Sequence, residues 1–401
     1  MVFDFFLFFI SLGALCFSFS GYLFCLALLR LLKKTRPIDQ LFRTRDLPPA
    51  EVMAHILVPT FNEAPYIADK IDNLLAQDYT KMRVWICDGG SSDATIALAQ
   101  AKIAEAGAEK IELLHCRERG KILQINEALA RIGASDVVII SDADALCLTF
   151  DAISRAVGAL GRDPEVGLIG GWTNPENSSS LQAEIAFWDK QNRARYMETI
   201  AFSSSIVVAP FYAFRRSLLT LFPEDCVADD VYISYVAHLK QVRVIYTPDI
   251  PVIERRSPQS RAEFIRHKFR KTHAYTTELF RVLHRLPYMR VRLKFFYLTK
   301  LFQFFYLPWF FLFLFIESWI LSLAGYFGLV ASFYLVFLIL ILLASATMKP
   351  PPGMSRGGLK LVSFVASVET FLVVNLVLIL NSVLFPFWRQ NSSYARLTAV
   401  K

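Results

Sequence analysis

Apolar residues along this chain follow two regimes. Phe3 to Leu29 is almost uninterrupted apolar sequence, and three more such stretches follow Lys300, at about Phe302–Leu323, Tyr326–Ala346 and Leu361–Trp388. Crossing the hydrocarbon core of a bilayer takes roughly 20 consecutive apolar residues, so each stretch is predicted to span a membrane or to enter it as a re-entrant segment. Only Ala324-Gly325 separates the first two of the later stretches, which calls for a tight turn or a bent pair. Between these ends, from about His55 to Thr247, short β-branched runs alternate with longer segments of helical period. Strands are predicted at His55–Pro59, Arg83–Cys87, Ile111–His115 and Val137–Ser141, and helices at Tyr66–Ala76, Ala94–Ala106 and Ile122–Ile132. That alternation predicts a doubly wound α/β sheet, mainly parallel.

Charge orients the ends. Arg30, Lys33, Lys34 and Arg36 follow the first apolar run. A cleavable signal would carry its positive charges ahead of a shorter apolar core, so an uncleaved anchor is expected. The positive-inside rule then places the middle of the chain in the cytoplasm. The loop from Lys349 to Lys360 is basic and predicted cytoplasmic, yet Arg389, Arg396 and Lys401 leave the side of the tail open. The net charge of +8 gathers beside the membrane, where Arg281, Arg285, Arg290, Arg292, Lys294 and Lys300 interleave with Leu, Tyr and Phe. This reads as an interfacial segment on anionic headgroups rather than a nucleic-acid site. Six scattered cysteines show no metal-ligand spacing and suit small core residues. The predicted organisation is an anchor at 1–33, an α/β domain at 50–275, a basic interfacial segment at 276–300, membrane or re-entrant helices at 301–388 and a tail at 389–401.

Candidate chemistry sits where the strands end. Asp142-Ala143-Asp144 follows the apolar run Val137–Ile140, at the edge where open α/β sheets bind ligands. Alternate acids there can hold a hard divalent cation, which in turn can hold a diphosphate; an acidic turn is the competing reading. The first strand ends in Thr60-Phe61-Asn62-Glu63 and the second in Asp88-Gly89-Gly90-Ser91-Ser92-Asp93, with Gly120-Lys121 and Asn126 between the third strand and the fourth. Singly, Asp88-Gly-Gly is a good turn, Asn62 a good helix cap and Lys121 a solvated lysine. Together they supply what a nucleotide needs. No G-x-G-x-x-G follows the first strand and no Walker lysine motif is present, so dinucleotide redox and P-loop chemistry lose support. Glu317 and Glu369 lie inside predicted spans, and Trp172, Trp188 and Tyr196 could stack on a sugar or belong to the core. His267 and His273 could bind a cation or phosphate, with an interfacial position as the alternative.

In order, Val58–Glu63, Asp88–Thr95, Gly120-Lys121 through Leu129, Asp142–Asp144, Phe211–Arg216 and Ala228–Val231 resemble the motifs of membrane-bound family 2 glycosyltransferases with a GT-A fold. The resemblance covers roughly 55–275 and is nearest the chitin-oligosaccharide and hyaluronan synthase-like branch. It implies a Rossmann-like cytoplasmic domain flanked by transmembrane helices in the cell membrane. It also implies inverting transfer of a sugar from a nucleoside diphosphate donor, commonly a UDP-sugar, with Mg²⁺ or Mn²⁺. By position, Thr60 and Glu63 line the nucleoside pocket, Asp88 binds the base, and Lys121 and Asp142 contact the nucleotide. Asp144, with Asp142, holds the metal. Asp230 is the catalytic base beside Asp229, and adjacent acids crowd charge and raise one pKa. A hydroxyl on a lipid-linked or glycan acceptor suits that base; a polyprenyl phosphate, already an anion, is the alternative acceptor. Outside this class, a transporter or an inactive scaffold competes.

Two departures stand out. Gly89 replaces a second aspartate found in many members. The Q-x-x-R-W motif of processive synthases is missing from Gln259–Lys271, leaving Arg266 and Arg270 as candidate diphosphate contacts and polymer synthesis in doubt.

Overall fold

The computed structural model describes residues 1–31, 41–42, 52–106, 110–134, 136–176, 182–347 and 361–387. Lys33, Lys34, Arg36, the 349–360 loop, Trp388 and the 389–401 tail lie outside them, as does the side chain of Glu369. The N-terminal apolar run forms α1 (Val2–Cys16) and α2 (Tyr22–Leu31), joined by a π-helical turn at Phe17–Gly21.

The sheet that follows has eight strands in the order β3-β2-β1-β4-β7-β6-β8-β5. β1 (Ala54–Thr60), β2 (Met82–Asp88), β3 (Ile111–His115) and β4 (Val137–Ile140) pair in parallel. Side chains alternate across β1, so Ile56 and Val58 enter one apolar layer and Leu57 the other. Strands covered on both faces read as apolar runs, which makes β1, β2 and β4 legible in sequence. On the first face pack α3 (Ile67–Leu75) and α6 (Ala152–Arg162); on the second, α5 (Lys121–Leu129) and α8 (Asp229–Leu239). The helix α4 (Thr95–Ala106) lies between β2 and β3 in the chain.

The remaining strands make the sheet more mixed than predicted. β5 (Ala145–Cys147) is antiparallel to β8 (Arg243–Glu254), and β7 (Tyr212–Arg215) is antiparallel to both β4 and β6 (Val166–Pro175). β6 and β8 are parallel to each other. Two reversals through β7 turn β6 and β8 the same way as β4. The C-terminal ends of β1, β2, β4 and β8 therefore share one edge of the sheet.

The described residues also form α7 (Gln182–Ala201), α9 (Arg261–Arg281), α10 (Val291–Leu301), α11 (Leu307–Leu321), α12 (Phe327–Thr347) and α13 (Leu361–Leu384). Among the described residues, one helical run, Val291–Ile339, is long and apolar enough to cross a membrane; Val2–Cys16, Tyr22–Leu31 and Thr370–Leu384 are shorter apolar helices. The run is bent at Gly325, whose φ of 91° only glycine adopts readily. Ser318 Oγ and Tyr334 OH meet at 2.8 Å across the bend, so α11 and α12 fold toward one another as a bent pair. α1 packs against α11, with Phe5 on Tyr326 and Phe17 near Phe302.

The basic segment divides. Arg285, Arg290 and Arg292 are exposed, whereas Lys300 is buried and pairs with Glu198 at 2.7 Å. Glu198, fully buried on α7, also accepts from Tyr22 OH at 2.7 Å and from the Ser205 amide at 2.8 Å. One carboxylate thus ties the N-terminal helix and α10 to the α/β domain. His267 and His273 are buried rather than interfacial, the latter 3.0 Å from Asn381 Oδ1 on α13. Trp172 and Trp188 belong to the core.

Candidate active site

The loop after β1 and the loop after β2 interlock. The Asn62 amide donates to Ser91 Oγ at 2.8 Å, Asn62 Oδ1 accepts from the Ser92 amide at 2.8 Å, and the Glu63 amide donates to Thr95 Oγ1 at 2.7 Å. Asn62 is not a helix cap: it sits at φ 51°, and Tyr66 occupies the position before α3. Asp88 is buried and holds its own turn, accepting from the Gly90 amide at 2.9 Å, the Ser91 amide at 3.1 Å and Ser91 Oγ at 2.5 Å. Thr60 is buried as well, its hydroxyl bonded to Val58 O at 2.9 Å. Gln124 on α5 lies beneath these loops and donates to Thr60 O at 2.7 Å and Cys87 O at 3.1 Å. A Cβ at position 89 would stand 2.4 Å from Gln124 Nε2, so a side chain there would have to displace the Gln124 amide from its place beneath the loops. Asn126 belongs to the scaffold, exchanging two 2.8 Å hydrogen bonds with the main chain of Phe222.

Lys121 brings separate parts of the chain together. Its Nζ lies 2.9 Å from Asp142 Oδ1 and 3.2 Å from Asp229 Oδ1. Asp229 is buried and also accepts from Tyr212 OH at 2.6 Å. Among the described residues Asp230 receives main-chain donors alone, the Ala209 amide at 3.1 Å and the Val231 amide at 2.9 Å, and it keeps partial exposure. Burial, reinforced by Asp229 and opposed by Lys121, raises its pKa to about 6. One acid of the pair is anchored by side chains, and the other is held by main-chain amides at a raised pKa.

Asp144 is buried, and its pKa is raised by burial and by Asp142, with Arg256 opposing. Beneath it lies Lys70, fully buried, whose Nζ donates to Ser141 Oγ and to Ala145 O, each at 2.6 Å. These acceptors bracket the acidic tripeptide on both sides. Burial lowers the Lys70 pKa, and the nearby Asp142 and Asp144 counter that. Lys70 occupies the apolar stripe of α3 with Ile67, Ile71 and Leu74, and a lysine in such a stripe is the signal that could have revealed it. Glu254, at the end of β8, is raised to about 7 by burial, opposed by Lys271 and reinforced by Asp144. On α9 the buried face carries His267 and Lys268; Lys268 pairs with Glu184 at 2.7 Å, and burial lowers its pKa to about 8. Arg266 is exposed on that helix and Arg270 half-buried. No group of three His, Cys, Asp or Glu side chains is set to hold a metal ion among the described residues.

The strand order and the helices packed on both faces give the chain a mixed α/β fold of the GT-A type. Residues 55–222 match the family described as Glycosyl transferase family 2. It is 27% identical over 198 residues to a poly-beta-1,6-N-acetyl-D-glucosamine synthase of Staphylococcus aureus, covering 48% of this chain and 47% of that one. The chain thus spans about half the length of this curated relative. A dolichyl N-acetyl-alpha-D-glucosaminyl phosphate 3-beta-D-2,3-diacetamido-2,3-dideoxy-beta-D-glucuronosyltransferase of Methanococcus voltae is 27% identical over 138 residues, covering 33% of this chain and 42% of that one. Among solved structures, the mannosyltransferase PcManGT from Pyrobaculum calidifontis, in complex with GDP-Man and Mn²⁺, superposes with a TM-score of 0.68 at 22% identity. The superposition covers 96% of this chain and 98% of that one, so the likeness of fold extends to the helices beyond the α/β domain.

Proposed function

We propose that this chain transfers a sugar, with inversion, from a nucleoside diphosphate sugar to a hydroxyl of a lipid-linked or glycan acceptor at a membrane. The observation that carries the reading is Lys121 set between Asp142 and Asp229, which makes the donor edge and the paired acids a single site. The nucleoside lies along Thr60, Glu63 and Asp88, and the diphosphate reaches Lys121. Asp230, raised to about 6 yet held by main-chain donors alone, takes the proton of the attacking hydroxyl. A base tuned near the working pH serves a hydroxyl acceptor, while an anionic phosphate acceptor needs none.

Mg²⁺ or Mn²⁺ fits the donor set. Such a hard cation commonly takes one or two protein carboxylates and completes its sphere with substrate phosphates and water. Asp142 and Asp144 are two carboxylates whose mutual repulsion contributes to the raised Asp144 pKa. The cation would supply charge stabilisation to the leaving diphosphate. Helices α1, α2 and α10–α13 anchor the enzyme, with the α/β domain on the cytoplasmic side. Exposed Arg285, Arg290 and Arg292 lie against anionic headgroups.

The test is donor turnover by the detergent-solubilised protein against a panel of nucleoside diphosphate sugars with Mn²⁺, Mg²⁺ or EDTA. Metal-dependent sugar release or transfer from one donor, lost in Asp144→Asn, is expected. Absence of nucleotide binding to the folded wild type would defeat the reading.

A further inference from the structure

β8 ends in Glu254 and continues as Arg255-Arg256 at the same sheet edge as the acidic tripeptide. The Arg255 amide donates to Asp144 O at 2.9 Å, so the main chain itself delivers Arg256 beside the second aspartate. The Arg256 guanidinium uses both terminal nitrogens on the Glu63 carboxylate, with Nη1 at 3.3 Å and Nη2 closer. Its carbon lies 5.0 Å from the centre of the Tyr66 ring, which covers one face. Nε, 3.7 Å from Asp144 Oδ2, is too far for a hydrogen bond. That Nε–H is buried and has no acceptor among the described residues. A buried donor left unmade is costly and calls for an explanation.

We infer that Arg256 is a ligand of the donor's diphosphate and that its Nε–H is satisfied by a phosphate oxygen. This rests on the nucleotide-sugar reading of the site. Three observations converge. The guanidinium spans the interval between Glu63 and Asp144, the path from nucleoside to cation that a diphosphate must follow. Its fork is already held by Glu63 and Tyr66, so little ordering is needed on binding. Lys121 stands on the Asp142 side of the same loop, so two fixed cations flank the place where the diphosphate gathers charge. Arg266 is exposed on α9, and Arg256 is the arginine beside Asp144.

A purely structural Arg256 would neutralise Glu63 and do nothing more. The two roles separate by binding measurements on the full chain in detergent with Mn²⁺, using inorganic pyrophosphate, UDP and GDP as phosphate probes and uridine and guanosine as phosphate-free ones. Arg256→Gln is expected to weaken pyrophosphate, and whichever nucleotide the wild type binds, by about 10- to 100-fold, leaving the matching nucleoside unaffected. Arg256→Lys keeps the charge beside Glu63 but loses the planar fork, so it is expected to hold the wild-type melting temperature and still bind pyrophosphate more weakly. Unchanged pyrophosphate affinity in either folded variant overturns the inference while leaving the glycosyltransferase reading intact. A wild type that binds neither pyrophosphate nor nucleotide overturns both.

Discussion

Two regions of this molecule use buried charge in opposite ways. At the sheet edge built from β1, β2 and β4, carboxylates and cations are crowded but incompletely satisfied: Asp230 has main-chain donors alone, and Arg256 keeps an unused Nε–H. Where α2, α7 and α10 meet, Glu198 is fully buried and saturated by Tyr22, Ser205 and Lys300. The first arrangement leaves polar capacity for a ligand and a proton. The second spends all of it on holding helices to the domain. Equal burial therefore does not imply equal purpose; what distinguishes the regions is whether hydrogen-bonding capacity remains.

Substitutions at the two regions should fail differently. Asp230→Asn is expected to lower transfer about 10²- to 10⁴-fold, with donor binding and melting temperature close to wild type. In the wild type, kcat/KM should fall as pH drops through about 6, the pKa to which burial and Asp229 raise Asp230 from 3.8. The sign for stability is reversed. A carboxyl raised in the fold carries its penalty in full above about 6 and sheds it as pH falls toward 3.8, so at this residue acid relieves the fold while it stops the chemistry. A pH profile that is flat through this range would remove Asp230 from its assigned role.

Glu198→Gln should do the converse. Leaving Lys300 buried without its anion costs about 3–5 kcal/mol of stability, seen as a lower denaturation midpoint, while the folded fraction keeps its kcat. A variant that loses kcat at unchanged stability would show that this cluster also serves the site. The smallest expected effect is at Gly89→Asp, which places a second acid next to Asp88. Its Cβ collides with Gln124, so nucleotide affinity should fall rather than rise, and Gln124→Ala in the same chain should recover part of the loss. A gain of affinity from Gly89→Asp alone would mean that the Gln124 side chain moves aside freely.

The polar edge of the sheet is legible in sequence because each β-strand there is a local apolar run and each polar loop follows it directly. Asp88, Lys121 and Asp142 are placed at that edge by their positions in the chain, and the strand at Ile111–His115 has the predicted bounds. β8 is harder to read: it breaks register against β6 after Gly171, and it carries Asp249 and two prolines along its length. With that strand unread, Arg256 and Glu254 go unassigned. Sequence points instead to Arg266 and Arg270, whose helix turns His267 and Lys268 inward.

From the chain alone follow the alternating α/β domain, the apolar ends, the acidic tripeptide and the paired acids at the start of α8, since each is set by neighbours within a few residues. Only the tertiary structure decides that Lys121 joins Asp142 to Asp229, that Lys70 braces the acidic loop from below, and that Arg256 faces Asp144. Periodicity reports which face of an element is apolar. Which charge meets which across more than a hundred residues depends on strand order and register, and those are settled only when the sheet closes its core.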